Sequence, residues 1–170
     1  CGGLSQYISA QNSLPEKAIV SVGVEQLAET TCLLIKNGVK RILVEKPAGL
    51  TLSEMGNLDA FSREFGAEVF VAYNRRFFSS VIAAQEIIEK DGGVENLTFE
   101  VTEWGHTIKP LKKAEGVKEN WFFGNTTHIV DLAFYLGGKP KEISSFTNGQ
   151  TEWHQRSAIF AGAGNTQSGA

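Results

Sequence analysis

Arg41-Ile42-Leu43-Val44-Glu45-Lys46-Pro47 is the most telling segment of the chain. A short apolar run that stops in a charged pair and a proline reads as a buried strand reaching the edge of a sheet. On either side of it, Ala18-Ile19-Val20-Ser21-Val22 and Glu68-Val69-Phe70-Val71-Ala72 read as two further short strands, with a helical pattern in each gap. From about Glu25 to Lys36, Leu27, Thr31, Leu34 and Ile35 share one face, and Asn37-Gly38 is the stop signal. Thr51-Leu52-Ser53-Glu54 has the capping-box pattern. It opens a helix with Met55, Leu58, Phe61 and Phe65 inward and Gly66 at its end. Strands alternating with helices at this spacing predict a parallel sheet with right-handed crossovers. Lys46 then stands at the sheet edge where ligands bind in such folds. Pro47 removes a backbone donor and pins the turn, and the Lys46–Pro47 bond is a candidate cis peptide.

After Ala72 the pattern changes. A helix is predicted over about Ser79 to Lys90, ending at Asp91-Gly92-Gly93. Leu97, Phe99 and Val101 alternate with polar residues, which predicts a half-buried strand of an antiparallel sheet. A loop from Gly105 to Asn120 leads to a helix from roughly Thr126 to Leu136, stopped by Gly137-Gly138 and Pro140, and strands follow near Glu142 to Phe146 and Ala158 to Ala161. The predicted class is α/β: a partial parallel βαβαβ domain over residues 1–75, then a truncated α+β domain with a mostly antiparallel sheet over 76–170.

The 170 residues are 42% hydrophobic and 21% charged, the make-up of an ordinary globular protein. A net charge of −3 with dispersed basic residues gives no electrostatic case for nucleic acid or a membrane surface. No apolar run approaches the roughly 20 residues of a membrane-spanning helix. Cys1 and Cys32 lack metal-ligand spacing and suggest a reducing, cytoplasmic setting. A processed lipoprotein cysteine at Cys1 is the minor alternative. Met55 is the only methionine, so the chain does not open on an initiator, and it reads as a piece of a longer protein.

Three groups of residues offer chemistry. On the helix near Thr126, His128, Asp131 and Tyr135 share a face, with His128 in the first turn, where the dipole disfavours an imidazolium. A neutral imidazole suits a general base; a histidine that merely packs at a helix start is the bland alternative. Lys46 is either a proton-handling group at the sheet edge or a solvated lysine after a strand. Asn74, Arg75 and Arg76 follow the third strand; the two arginines suit a phosphate or carboxylate clamp, or salt bridges between domains. Trp104, Trp121 and Trp153 suit a sugar-stacking wall or a small core. Gly162-Ala163-Gly164 starts like a dinucleotide fingerprint but has Gln167 at the third glycine position and no following helix. His106 and His154 have no neighbouring ligand set, and no metal site is expected.

Glu45-Lys46-Pro47, then Asn74-Arg75-Arg76-Phe77, then His128-Ile129-Val130-Asp131 before Leu136-Gly137 resembles the glucose–fructose oxidoreductase/inositol dehydrogenase (Gfo/Idh/MocA) family, over about Ala18 to Phe160. The resemblance implies a Rossmann domain binding NAD or NADP, then an α/β domain with an open sheet. By position it implies Lys46 as the catalytic lysine and His128 as the histidine assisting proton transfer. It further places Val22, Gly23, Glu45, Lys46, Pro47 and Asn74 at the cofactor, and Arg76, Trp121, Asn125, Thr127 and His128 at the substrate. The stretches Val71 to Phe78 and Asn120 to Pro140 are similar to members associated with bacterial polysaccharide biosynthesis.

The implied activity is hydride transfer between a sugar or sugar-nucleotide hydroxyl or ketone and the nicotinamide. The alternatives are a non-catalytic dinucleotide- or sugar-binding regulatory member and an NAD-dependent glycosidase of the same family. The family also implies a homo-oligomer formed through the second-domain sheet. Two departures stand out. Gly124, followed by Asn125, occupies the position of a frequent family aspartate four residues before the histidine. The glycine-rich first βαβ turn is not in the chain, so the chain as given is expected to bind dinucleotide weakly and to be inactive alone.

Overall fold

A computed structural model describes residues 3–154 and 156–170. Cys1, and with it the lipoprotein alternative, lies outside the described residues. The chain divides into two compact units, Cys1–Ala72 and Tyr73–Ala170.

In the first unit, α1 (Gly3–Ala10) precedes β1 (Lys17–Val20), α2 (Leu27–Lys36), β2 (Arg41–Val44), α3 (Leu52–Glu64) and β3 (Glu68–Val71). The sheet is parallel in the order β1-β2-β3, with Val20 opposite Val44 and Val44 opposite Val71. Its core is built from Val20, Leu27, Leu34, Ile35, Val39, Ile42, Val44, Ala48 and Leu58. The predicted face of α2 is the buried one: Leu27, Thr31, Leu34 and Ile35 all lie inside. Thr31 is tolerated there because its hydroxyl donates to Leu27 O at 2.7 Å, leaving no buried donor unsatisfied. Helix α2 ends at Asn37, and Gly38 takes φ +96°, a left-handed geometry that glycine adopts without steric cost.

The capping box at Thr51 forms with a shift. Thr51 Oγ1 accepts from Glu54 N, but the Glu54 carboxylate accepts from Leu50 N at 2.6 Å rather than from Thr51 N. β1, β2 and β3 alternate in burial, and Ile19, Leu43 and Phe70 are exposed on the second face of the sheet.

The second unit begins with a 3₁₀ turn, Asn74–Phe77, and α4 (Ser79–Lys90). It continues through a short α5 (Gly105–Ile108), α6 (Thr127–Gly137), and the strands β4 (Pro140–Asn148) and β5 (Ile159–Thr166). The two strands pair antiparallel, from Pro140 opposite Thr166 to Asn148 opposite Ile159. Both run longer than the sequence predicts. The strand through Gly162 and Gly164 was hidden because glycines weaken strand propensity. Here they permit close approach: a Cβ on Gly164 would lie 1.9 Å from Glu142 O. The Gly162-Ala163-Gly164 run is therefore ladder backbone, not a phosphate loop.

Two expectations are corrected. The strand over Leu97 to Val101 does not form: these residues join neither the β1-β2-β3 sheet nor the β4-β5 pair. Its apolar residues turn to α6 instead: the Leu97 side chain fills the space beside Gly137, and the Phe99 ring meets Phe134 edge-on at 5.9 Å. The helix carrying His128 also starts earlier. A π-helical turn, Phe122–Thr126, winds directly into α6, so His128 does not stand at the open end of a dipole.

Candidate active-site elements

The end of β2 carries the first element. Glu45 N still donates to Val20 O at 2.9 Å, so the ladder continues one residue past the strand. The chain then reverses over Glu45-Lys46-Pro47-Ala48, closed by Ala48 N donating to Glu45 O at 2.9 Å. The Lys46–Pro47 bond is cis, as the sequence reading anticipates, which makes this a type VI turn. Glu45 Oε2 accepts from Lys46 N at 3.2 Å, so the carboxylate braces the turn from its own first residue.

Pro47, Ala48, Gly49 and Leu50 are buried behind the turn while Glu45 and Lys46 are half-buried. Ala48 adopts φ +74°, a left-handed conformation that costs an alanine about 1–2 kcal/mol. Strain of this kind persists only where surrounding packing over-determines it. Ala48 is 4% exposed within the core, which supplies that packing. Gly49 has its own constraint, since a Cβ there would sit 3.0 Å from the Glu54 Cβ. Val22 and Gly23 follow β1 at the same carboxyl edge, and both are exposed. Val22, Gly23, Glu45, Lys46 and Pro47 thus gather at one end of one sheet.

The second element lies around α6. Arg76, in the 3₁₀ turn, grips Asp131 with both ends of its fork: Nε donates to Oδ2 at 2.8 Å, and Nη2 donates to Oδ1. The guanidinium also lies over Tyr135 at 4.7 Å and over Tyr73 at 5.8 Å. The Asp131 carboxylate beside it raises the already high pKa of Arg76. Of the alternatives the sequence left for the arginines, this geometry favours a salt bridge, formed within the second unit. Burial pushes the Tyr73 phenol above its ordinary value; a hydrogen bond with Thr127 opposes this, Asp131 adds to it and Arg76 subtracts. Tyr73 meets the half-buried His128 edge-on at 6.0 Å between ring centres. Tyr135 Oη donates to Gln85 Oε1 at 3.2 Å, tying α6 to α4.

Thr127 Oγ1 donates to Phe123 O, and Asn125, exposed, donates through Nδ2 to Glu103 Oε1. Trp121 and Trp153 meet edge-on at 6.5 Å, while Trp104 stacks on His106. The tryptophans therefore divide into two ring contacts. The Trp121 indole N–H is buried with no hydrogen-bond partner among the described residues. His154 is 5% exposed, and its Nδ1 lies 2.8 Å from Arg156 O within the loop between β4 and β5. Asn74 is exposed in the 3₁₀ turn. Sequence reasoning missed Tyr73 and Glu103. Glu103 continues the phase of Leu97, Phe99 and Val101, so it is a carboxylate on the apolar side of the alternation, a signal that names no distant partner.

Among the described residues no group of three or more His, Cys, Asp or Glu side chains forms a metal-binding set, and no helix is long and apolar enough to cross a membrane.

No protein-family model matches the chain. It is 27% identical over 130 residues to the scyllo-inositol 2-dehydrogenase (NADP(+)) IolW of Bacillus subtilis, covering 73% of this chain and 35% of that protein. It is 30% identical over 107 residues to the uncharacterized oxidoreductase YhhX of Escherichia coli, covering 62% of this chain and 30% of that one. The chain thus spans between 30% and 35% of the length of these curated relatives. Its fold matches the WlbA dehydrogenase of Chromobacterium violaceum, a structure in complex with NADH and UDP-GlcNAcA. That match has a TM-score of 0.77 at 13% identity, over 100% of this chain and 50% of that one. Relatives and fold agree with the resemblance carried by the Lys46-Pro47 and His128-x-x-Asp131 elements: the chain is similar to dehydrogenases of the Gfo/Idh/MocA type.

Proposed function

We propose that the protein is an NAD(P)-dependent oxidoreductase that moves a hydride between nicotinamide and a hydroxyl or ketone of a sugar or sugar nucleotide. The observation that carries the reading is the type VI turn at the carboxyl end of β2, where a half-buried lysine is held on a rigid, braced loop at the ligand edge of a parallel sheet. The residue set at that edge fits a flat ring. Val22 and Gly23 expose small or apolar surface beside it, and Pro47 stiffens the turn from behind.

A nicotinamide dinucleotide, when bound, supplies the hydride acceptor or donor. The chain's residues do the rest. Val22, Gly23, Glu45, Pro47 and Asn74 hold the cofactor, Lys46 Nζ hydrogen-bonds the reacting hydroxyl and takes its proton, and His128 assists that transfer. Trp121, Asn125 and Thr127 contact the sugar. Arg76 acts on substrate through the helix it anchors, because its fork is occupied by Asp131. The relatives' names support the cofactor class, NADP for IolW and NADH for WlbA, and WlbA's ligand UDP-GlcNAcA supports a sugar-nucleotide substrate; the setting proposed with it is cytoplasmic polysaccharide biosynthesis. The exposed β4–β5 sheet, with Ile143, Phe146 and Ile159 open, is the surface proposed for self-association.

The test is nicotinamide absorbance with the full-length protein, NAD or NADP, and a panel of sugars and sugar nucleotides. Turnover is expected with wild type, with losses of at least about 100-fold in Lys46→Met and clear losses in His128→Ala. Wild-type rates in both variants would refute the assignment.

A further inference from the structure

Glu103 sends one carboxylate oxygen to two donors on the turn that leads into His128. Its Oε1 accepts from Asn125 Nδ2 at 2.7 Å and from Thr126 Oγ1 at 3.0 Å. Both donors belong to the π-helical turn Phe122–Thr126, which runs without a break into α6. Thr126 is 8% exposed, so its hydroxyl has little access to water if the carboxylate is removed. From the other side, Thr127 Oγ1 donates to Phe123 O at 3.0 Å across the same turn. Within the turn Gly124 has open space where a Cβ would stand, and so contributes no side chain to hold it.

A π turn takes in one more residue per turn than an α-helix, and it is seldom found except as a single turn. Reversion to α geometry rotates the residues on one side by about 100° against those on the other. The hydrogen bonds that hold the π form therefore set the rotational phase between Trp121–Phe122 and His128–Asp131. Arg76 already fixes Asp131; the carboxylate fixes the last two residues of the turn, directly before α6. We propose that Glu103 is a positioning residue for His128: it locks the π turn and so sets the orientation in which the imidazole is presented. This inference rests on the reading that His128 assists the proton transfer.

The test compares Glu103→Ala, Glu103→Gln, Thr126→Val and His128→Ala in the full-length protein, with steady-state kinetics and the His128 Cε1–H resonance. That resonance is assigned by its disappearance in His128→Ala. Glutamine keeps a carbonyl oxygen able to accept both bonds, so Glu103→Gln is expected to hold kcat within about threefold of wild type. Glu103→Ala removes both bonds and is expected to lower kcat about 10- to 100-fold, with the cofactor KM unchanged, since misplacement of a reacting group by about 1 Å has that order of cost. The His128 resonance and its titration midpoint move in Glu103→Ala and stay in Glu103→Gln. Thr126→Val removes one bond from the other side and shifts both readouts part of the way, which keeps the test open if Glu103→Ala does not fold. An unmoved His128 resonance in Glu103→Ala and Thr126→Val overturns the inference, as does a glutamine variant as damaged as the alanine one. Full turnover in His128→Ala overturns the underlying functional reading instead, while the resonance shift still reports the clamp.

Discussion

The Arg76–Asp131 pair gives the sharpest quantitative test of the second unit. Two unit charges about 3 Å apart attract by about 5–6 kcal/mol at an effective dielectric near 20. Arg76 is 39% exposed in its side chain and Asp131 only 12%, so solvent screens one partner far more than the other. Exposed pairs are worth about 0.2–1 kcal/mol, and breaking a buried one costs about 3–5 kcal/mol. A pair with one end wet and one end dry belongs between, with a coupling of about 2 kcal/mol. The single changes are predicted to be unequal. Arg76→Met strands a largely buried carboxylate and removes the cation over Tyr135, for about 3 kcal/mol. Asp131→Asn leaves a guanidinium that water can reach, for about 1.5 kcal/mol.

Urea unfolding followed by tryptophan fluorescence reads this out, since Trp104, Trp121 and Trp153 all lie in the same unit as the pair. At a typical slope of about 2 kcal/mol per molar, the coupling corresponds to about 1 M in midpoint. A double-mutant cycle with coupling below about 0.5 kcal/mol, or a larger loss from Asp131→Asn than from Arg76→Met, would refute the reasoning.

Other perturbations carry their own signs. Burial raises the Tyr73 phenol, so its contribution to stability is complete below pH about 10 and is lost as pH rises through the higher folded value. Tyr73→Phe is therefore expected to flatten the alkaline fall in unfolding midpoint; an unchanged slope would count against the buried phenol. Gly137→Ala would ordinarily stabilise a helix by about 1 kcal/mol. Here the added Cβ would meet Leu97 Cδ2 at 2.3 Å and Leu97 Cγ at 3.2 Å, so the change is expected to destabilise by about 1–2 kcal/mol, and Leu97→Ala to reverse the sign. At Ala48, glycine relieves about 1 kcal/mol of left-handed strain but gives up a buried methyl worth about 0.8 kcal/mol, so Ala48→Gly should be nearly neutral by thermal melting. Ala48→Val, β-branched at φ +74° in a packed core, should cost more than about 2 kcal/mol.

Periodicity made the first unit legible because each of its helices and strands buries the face that its own period marks. Leu27, Thr31, Leu34 and Ile35 recur at helical spacing and all four are buried, and the apolar run ending at Glu45-Lys46-Pro47 is a strand that ends in a turn. The second unit was harder to read for a physical reason. Alternation at Leu97, Phe99 and Val101 records which side chains seek apolar contact, and packing against α6 answers that as well as a ladder does. Gly162 and Gly164 suggest a turn by propensity, yet close backbone approach across β4–β5 is what requires them small. No spacing rule announces the π turn, because its stabilising oxygen comes from Glu103, some twenty residues away. The partner of Arg76 was likewise unnamed: the sequence left the two arginines to an anion clamp or to salt bridges, and a carboxylate 55 positions along the chain occupies one of them.

The two proposed proton-handling side chains are held by opposite means, and that bears on how substitutions around them should behave. Lys46 sits on a four-residue turn whose bracing bonds, Ala48 N to Glu45 O and Lys46 N to Glu45 Oε2, arise within the turn itself. Substitutions elsewhere in the first unit act on it only by loosening the core behind Ala48. His128 sits on a helix whose phase is set by distant partners, Glu103 at one end of the turn and Arg76 at Asp131. Its orientation is therefore open to change from the loop preceding α5 and from the 3₁₀ turn, neither of which carries the imidazole. Substitution at Glu103 is expected to re-aim the histidine without touching it. The lysine turn has no comparable adjustment, since changing its bracing residue Glu45 changes a proposed cofactor contact at the same time.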